Sequence, residues 1–123
     1  MVTQVAQRSG YLTAFRIVAA LSMLSVLGQA VTAGQLMSGV TDAAHGSGAT
    51  VVHVLGLAQL VVAVLLWRPG RGAGWPALVS LAVLLLGAVQ SMLGGMGQVS
   101  LHVPLGLTLF GLSVWLVVWS WRR

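Results

Sequence analysis

Three histidines and one aspartate carry most of the side-chain chemistry that this sequence offers. His45 follows Asp42 by three positions, His53 comes one short stretch later, and His102 lies near the start of the last apolar segment. Ionisable side chains inside or at the rim of a membrane are costly, so each is a candidate for a functional role. The chemistry they indicate is the binding of a metal or of a metal-containing cofactor.

The composition indicates that the surroundings of this chain are a lipid bilayer. Of its 123 residues, 58% are hydrophobic and 6% are charged, and the mean hydropathy is +0.98. A water-soluble domain devotes about a quarter of its residues to charge, so this chain cannot cover a soluble surface. The absence of cysteine excludes disulfides, zinc–thiolate sites and iron–sulfur ligation.

Four apolar segments separated by glycine-rich or polar breaks predict an all-α integral membrane four-helix bundle. A spanning helix needs roughly 20 apolar residues, and the whole chain, 1–123, suits a single domain. The predicted helices cover about residues 11–37, 43–67, 75–96 and 100–121. Asp42 is the predicted N-cap of the second helix. A cleaved signal peptide is the alternative for residues 1–33, because a basic start and Val31-Thr32-Ala33 resemble that pattern.

The arginines predict the orientation of the bundle. With four spans all six fall on one side, which the positive-inside rule identifies as the cytoplasm: Arg8, Arg16, Arg68, Arg71, Arg122 and Arg123. Both termini are therefore expected on the cytoplasmic side and Asp42 on the outer side. The expected location is the cell's inner (plasma) membrane, crossed several times.

Helical spacing places polar residues on one face of each predicted helix. At about 100° per residue, these faces carry Ser22, Ser25, Gln29 and Thr32, then His45, Gly56 and Gln59, then Ser80, Gly87, Gln90 or Ser91, and Gly94, then His102, Gly106, Ser113 and Ser120. Small and hydroxylated residues are ordinary at helix contacts in lipid. That explanation suits the histidines less well, because an imidazole neither packs tightly nor enters hydrocarbon cheaply.

Counting along the helices from the arginines predicts which histidines meet. His102 is level with His45 to within roughly 4.5 Å and with His53 to within roughly 7.5 Å, at about 1.5 Å rise per residue. His45 and His102 are therefore the preferred axial ligands of a haem iron. His53 is either the alternative ligand or an internal hydrogen-bonding residue, and Gly106 would let a flat macrocycle approach the backbone. A metal-ion site of His45 and Asp42 is a weaker alternative.

Two passages resemble one four-helix half of haem A synthase: Asp42-Ala-Ala-His45, and the run from Gln90 to Leu101-His102-Val-Pro-Leu-Gly106. The chain also resembles small four-helix membrane proteins with Asp-x-x-His at the second helix. In the synthase family each half carries one histidine on its second helix and one on its fourth, and the pair binds a haem at the outer side. The resemblance thus implies a haem site at His45 and His102, with Gln90 and Gly106 beside it.

This sequence departs from the synthase pattern at two points. The family's Glu-x-x-His-Arg reads Asp42-x-x-His45-Gly46 here, and the chain has one half where the synthase has two. We therefore do not predict that this chain oxidises haem O, as the synthase does.

The expected function is that of a small b-type haem protein with bis-histidine ligation, acting in electron transfer or haem handling. The alternatives are an accessory or assembly subunit of a larger membrane complex and, third, a small transporter or channel. Expected partners are the lipid bilayer, a larger membrane complex or a second copy of the chain, and a quinone, but not nucleic acid. The sequence shows no set of a nucleophile, a general base and a residue to orient the base, and no phosphate-binding loop, so nothing in it indicates hydrolysis or phosphoryl transfer.

Overall fold

The computed structural model describes residues 1–40 and 43–123, and it is built of long α-helices. Helix α1 covers Val2–Met37, α2 covers Ala43–Trp67, α3 covers Trp75–Gly95 and α4 covers Val99–Trp121. All four are long and apolar enough to cross a membrane. The predicted all-α class and four-helix, multi-pass character are confirmed at this level. The roles predicted for Asp42, as helix cap and as ligand, lie outside the described residues.

The N-terminal helix is longer than its apolar segment. It begins at Val2, not near residue 11, and residues 1–10 are all exposed. This polar stretch contains no proline, and adding residues to an existing helix is far cheaper than starting one. The helix therefore continues beyond the apolar segment that sequence hydropathy detects.

Helices α1 and α3 end in the same way. In each, a glycine with positive φ follows the helix, Gly39 at 83° and Gly97 at 71°. The next residue donates its backbone N–H back into the last turn, from Val40 to the Gln35 carbonyl and from Gln98 to the Leu93 carbonyl. This is a Schellman motif, which glycine allows because it has no Cβ to clash in the left-handed region. Both motifs turn the chain toward a helix that carries a histidine near its start.

The helices form a closed ring of four. Helix α1 packs against α2 and α4, and α3 packs against the same two, which places α2 and α4 diagonally opposite each other. Most large apolar side chains on the outer surface of the ring are exposed, as lipid contact requires. A residue on α2 can therefore meet one on α4 only across the axis of the bundle.

The apolar core lies toward the end where the arginines are. Its fully buried members are Phe15, Ala19, Ala63, Leu66, Ala77 and Leu116. Tryptophans extend it, with Trp75 stacked on Trp115 at 4.7 Å and edge-on to Trp119 at 5.0 Å between ring centroids. On α1, Arg16 donates from Nε to the Ser120 carbonyl of α4 at 2.9 Å. We call this end the arginine end and the opposite one, with His45 and His102, the histidine end.

Candidate functional site

The histidine end brings His45 and His102 together across the bundle axis. Their ring centroids are 6.1 Å apart and the ring planes are inclined at 68°. Both rings are partly buried. The structure thus places side by side the two histidines that counting along the helices had paired.

A hydrogen bond to the preceding helix fixes the tautomer of His102. Its Nδ1 lies 2.8 Å from the backbone carbonyl oxygen of Gln90. A carbonyl only accepts, so Nδ1 must carry the proton and donate. In the neutral ring Nε2 then holds a lone pair.

His45 is held in a similar way by α1. Its Nδ1 lies 3.1 Å from Oγ1 of Thr32, and that hydroxyl is itself 3.1 Å from the Gln29 carbonyl oxygen. In the arrangement in which the hydroxyl donates to that carbonyl oxygen, the imidazole Nδ1 donates to the hydroxyl oxygen and the lone pair of the neutral ring lies on Nε2.

The two imidazoles thus share one arrangement. Each uses Nδ1 to contact the helix that precedes its own, and among the described residues no hydrogen bond reaches either Nε2. Histidines that bind metals usually have their other ring nitrogen held by such a partner, which sets the tautomer and aims the free nitrogen.

Two glutamines fill the space next to the histidine-bearing helices. Gly48 lies one turn past His45, and a Cβ there would be 2.6 Å from Nε2 of Gln29. In the same way, Gly106 lies one turn past His102, and a Cβ there would be 2.7 Å from Nε2 of Gln90. The amides are imperfectly satisfied. Buried Nε2 of Gln29 and buried Oε1 of Gln90 have no hydrogen-bond partner in the part of the chain that the structure describes.

The ring of His102 also rests against a glycine of α3. A Cβ at Gly94 would meet its Cε1 at 2.8 Å and its Nδ1 at 3.0 Å. No side chain larger than hydrogen fits there without moving the ring. Gly94 therefore helps to set the position of His102.

His53 lies apart from this pair. Its Nε2 is 2.9 Å from Oγ of Ser91 on α3, and its Cε1 is 3.6 Å from where a Cβ of Gly87 would be. The ring thus joins α2 to α3, as in the hydrogen-bonding role predicted as one of its two options. Its Nε2 is occupied by this bond.

Deeper in the bundle, a second polar contact crosses between α2 and α3. Gln59 is 1% exposed and donates from Nε2 to Oγ of Ser80 at 3.1 Å, and Ser80 is also 1% exposed. The Gln59 Oε1 is buried without a partner within the described residues. The predicted polar faces therefore do point inward, but at this depth they make a helix-to-helix contact.

The donor set at the histidine end is small. Residues 1–40 and 43–123 contain no group of three or more histidine, cysteine or acidic side chains that could hold a metal ion. A bare zinc ion prefers four ligands, so His45 and His102 alone do not complete its coordination. A haem iron takes only its axial ligands from the protein, since the macrocycle supplies the others.

Sequence reasoning missed the partners of the histidines. Thr32 stood out only as the last member of a polar stripe, and Gln90 was singled out for its side chain, whereas it is its backbone carbonyl that bonds His102. The spacing of the stripe on α1 was the available signal for Thr32. No sequence signal marks a backbone acceptor.

No family model matches the chain, and no match was found among curated proteins or solved structures.

Proposed function

We propose that this protein binds one b-type haem at the histidine end, with His45 and His102 as axial ligands, for electron transfer or haem handling. The observation that carries the proposal is a pair of imidazole rings with centroids 6.1 Å apart, each in contact with a neighbouring helix through Nδ1 and with no hydrogen bond to Nε2 among the described residues. Imidazole nitrogens on opposite sides of one metal lie about 4 Å apart at metal–nitrogen bonds of about 2.0 Å. Two rings whose centroids are 6.1 Å apart suit that spacing.

The positions of the helices support a macrocycle between the rings. His45 and His102 lie on diagonally opposite helices, so a plane between them extends toward α1 and α3. One turn deeper, Gly48 and Gly106 have no Cβ, and the space beside them is filled by the side chains of Gln29 and Gln90. In this proposal the flexible side chains of Gln29 and Gln90, each with an unpaired buried amide atom, move aside for the macrocycle edges.

The chemistry supplied by a bound haem is reversible one-electron transfer at iron. The residues of this chain would hold the two imidazoles through Nδ1, His45 by Thr32 and His102 by the Gln90 carbonyl. The histidine end contributes no arginine, because all six lie toward the other end.

We propose that the histidine end faces away from the cytoplasm and that both termini face it, in the inner (plasma) membrane. The clustering of the arginines at one end supports this orientation. A quinone or a larger membrane complex is the proposed redox partner. The accessory-subunit and transporter interpretations stay predictions.

Absorbance spectroscopy tests the proposal. The full chain is expressed with haem precursor supplied, purified in detergent and measured oxidised and dithionite-reduced. We expect one haem per chain, a Soret band, and the sharp α and β bands of a six-coordinate low-spin iron after reduction. A protein that purifies folded but colourless under these conditions would refute the proposal.

A further inference from the structure

A second candidate site lies at the arginine end, far from the histidines. An open groove of about 810 Å³ runs between the N-terminal extension of α1 and the loop that joins α2 to α3. Ligand-binding clefts have volumes of about 300–1,000 Å³, so this groove is large enough to hold a small molecule or a headgroup. Neither wall takes part in the proposed haem site.

The groove is strongly basic. Arg8 lines it from α1, and Arg68 and Arg71 line it from the loop, and none of the described residues that line it is acidic. A guanidinium presents a planar fork of donors that matches phosphate oxygens. Three such groups around one groove create an uncompensated positive field, which favours an anion.

The loop wall is held in place by tight backbone packing. The N–H of Gly70 donates to the Leu65 carbonyl at 2.9 Å and that of Gly72 to the Leu66 carbonyl at 2.8 Å. A Cβ at Gly70 would meet the Leu66 carbonyl oxygen at 2.6 Å and Tyr11 of α1 at 3.0 Å. The loop is thus anchored both to the end of α2 and to α1.

Arg71 stands between these two glycines in a strained backbone conformation. Its φ is 54°, in the left-handed region that residues with a Cβ adopt rarely and at an energetic cost. Gly70 and Gly72 on either side of it are packed closely against the end of α2, and the Arg71 side chain lines the groove.

The other lining residues are partly apolar. Val5 and Met1 of α1 and Trp67 at the end of α2 contribute to the same groove, and the ring of Trp67 lies 5.5 Å from the guanidinium carbon of Arg68. Tryptophan beside arginine is typical of the level at which lipid headgroups meet the acyl chains. The groove therefore combines phosphate-binding groups with apolar surface at headgroup depth.

We infer that this groove binds the phosphate headgroup of an anionic phospholipid, through Arg8, Arg68 and Arg71. Basic pockets at this side of membrane proteins suit such headgroups. A free phosphate offers the same anionic oxygens but no acyl chain for Val5 and Trp67. The apolar lining is the reason to assign a lipid.

The test is a lipid titration of the delipidated full chain in detergent, read by native mass spectrometry. The probes are phosphatidylglycerol, phosphatidylcholine and inorganic phosphate. Arg68→Gln/Arg71→Gln removes two charges from the groove, and Arg122→Gln/Arg123→Gln removes two from the same end outside it. At about fivefold per arginine, we expect about 25-fold weaker phosphatidylglycerol binding in the first variant and near wild-type binding in the second.

Three results would overturn the inference. Equal losses in both double variants would mean diffuse attraction to the whole basic end. Equal binding of phosphatidylcholine would mean that the groove does not select an anionic headgroup. Binding of inorganic phosphate that displaces the lipid completely would make this a free-anion site. Should the loop variant misfold, Arg8→Gln on the exposed start of α1 replaces it, with an expected loss of about fivefold.

Discussion

At the scale of single residues, the histidine end is defined by the hydrogen-bond partners of His45 and His102. Depth along the helices was enough to predict from sequence that His45 and His102 would be neighbours, because helical rise is regular. It was not enough to predict their partners. Whether Thr32 reaches His45, and whether the Gln90 carbonyl is free to accept, depend on the rotation of neighbouring helices, which sequence spacing leaves open.

A buried amide away from the histidines gives a prediction about stability. Ser80→Ala removes the only partner of the Gln59 side chain within the described residues and leaves the amide wholly unpaired, at a cost of about 1–3 kcal/mol. Gln59→Leu removes the amide altogether, including its unpaired Oε1, so we expect a change of less than about 1 kcal/mol. Reversible unfolding in mixed micelles measures both.

The double variant completes this cycle. With Gln59→Leu present, Ser80→Ala is expected to cost almost nothing, since no amide remains to be left unpaired. If Ser80→Ala were equally destabilising in both backgrounds, the contact between the two side chains would not be the source of its effect.

At the scale of elements, the bundle consists of two helix pairs that share the same arrangement of glycine, glutamine and histidine. In α1–α2 and in α3–α4, the first helix ends at a Schellman glycine, places a glutamine beside a glycine of the second helix, and bonds Nδ1 of the histidine on the second helix. The extension of α1 to Val2 was not predicted, because hydropathy detects where the apolar segment begins, and the helix begins before that segment.

Neighbouring glycines on α3 provide a matched pair of variants. Alanine at Gly94 or at Gly95 should gain up to about 1 kcal/mol of helix propensity. At Gly94 the new Cβ would displace the His102 ring, whereas at Gly95 nothing lies within 4 Å. We therefore expect Gly94→Ala to weaken haem binding about fivefold, the equivalent of about 1 kcal/mol for one lost hydrogen bond.

The same haem titration of Gly95→Ala serves as the control and should match wild type. Equal affinities for the two alanine variants would mean that contact with Gly94 does not position the imidazole.

At the scale of the whole molecule, packing changes along the bundle axis. The arginine end holds the apolar core and the stacked tryptophans, the middle holds Gln59 and Ser80, and the histidine end holds glutamines with unpaired atoms. Helices in lipid gain little from hydrophobic contact with each other. The buried apolar side chains of the arginine end therefore hold the four helices together there, and the histidine end, with its unpaired glutamine atoms, is the end at which we propose that haem binds.

The orientation of the molecule can be measured directly, because the chain has no cysteine. Single cysteines at Ser38 and at Ala73, both exposed, lie beyond opposite ends of the bundle. In intact cells we expect a membrane-impermeant maleimide to label Ser38→Cys, and to label Ala73→Cys only after the membrane is opened. The reverse pattern would place the termini outside and contradict the orientation that the arginines predict.

The most direct test of the central claim is a titration of the haem-free chain with ferric haem, followed at the Soret band. Wild type should bind one haem per chain. We expect the affinity for haem to fall at least about 100-fold in His45→Ala and in His102→Ala. Losing a residue that hydrogen-bonds a metal ligand costs about 10- to 100-fold, and losing the ligand itself should cost more. His53→Ala, which removes an imidazole bonded to Ser91, should bind as wild type. Equal binding by all three histidine variants, or a loss confined to His53→Ala, would contradict the assignment of His45 and His102 as the axial pair.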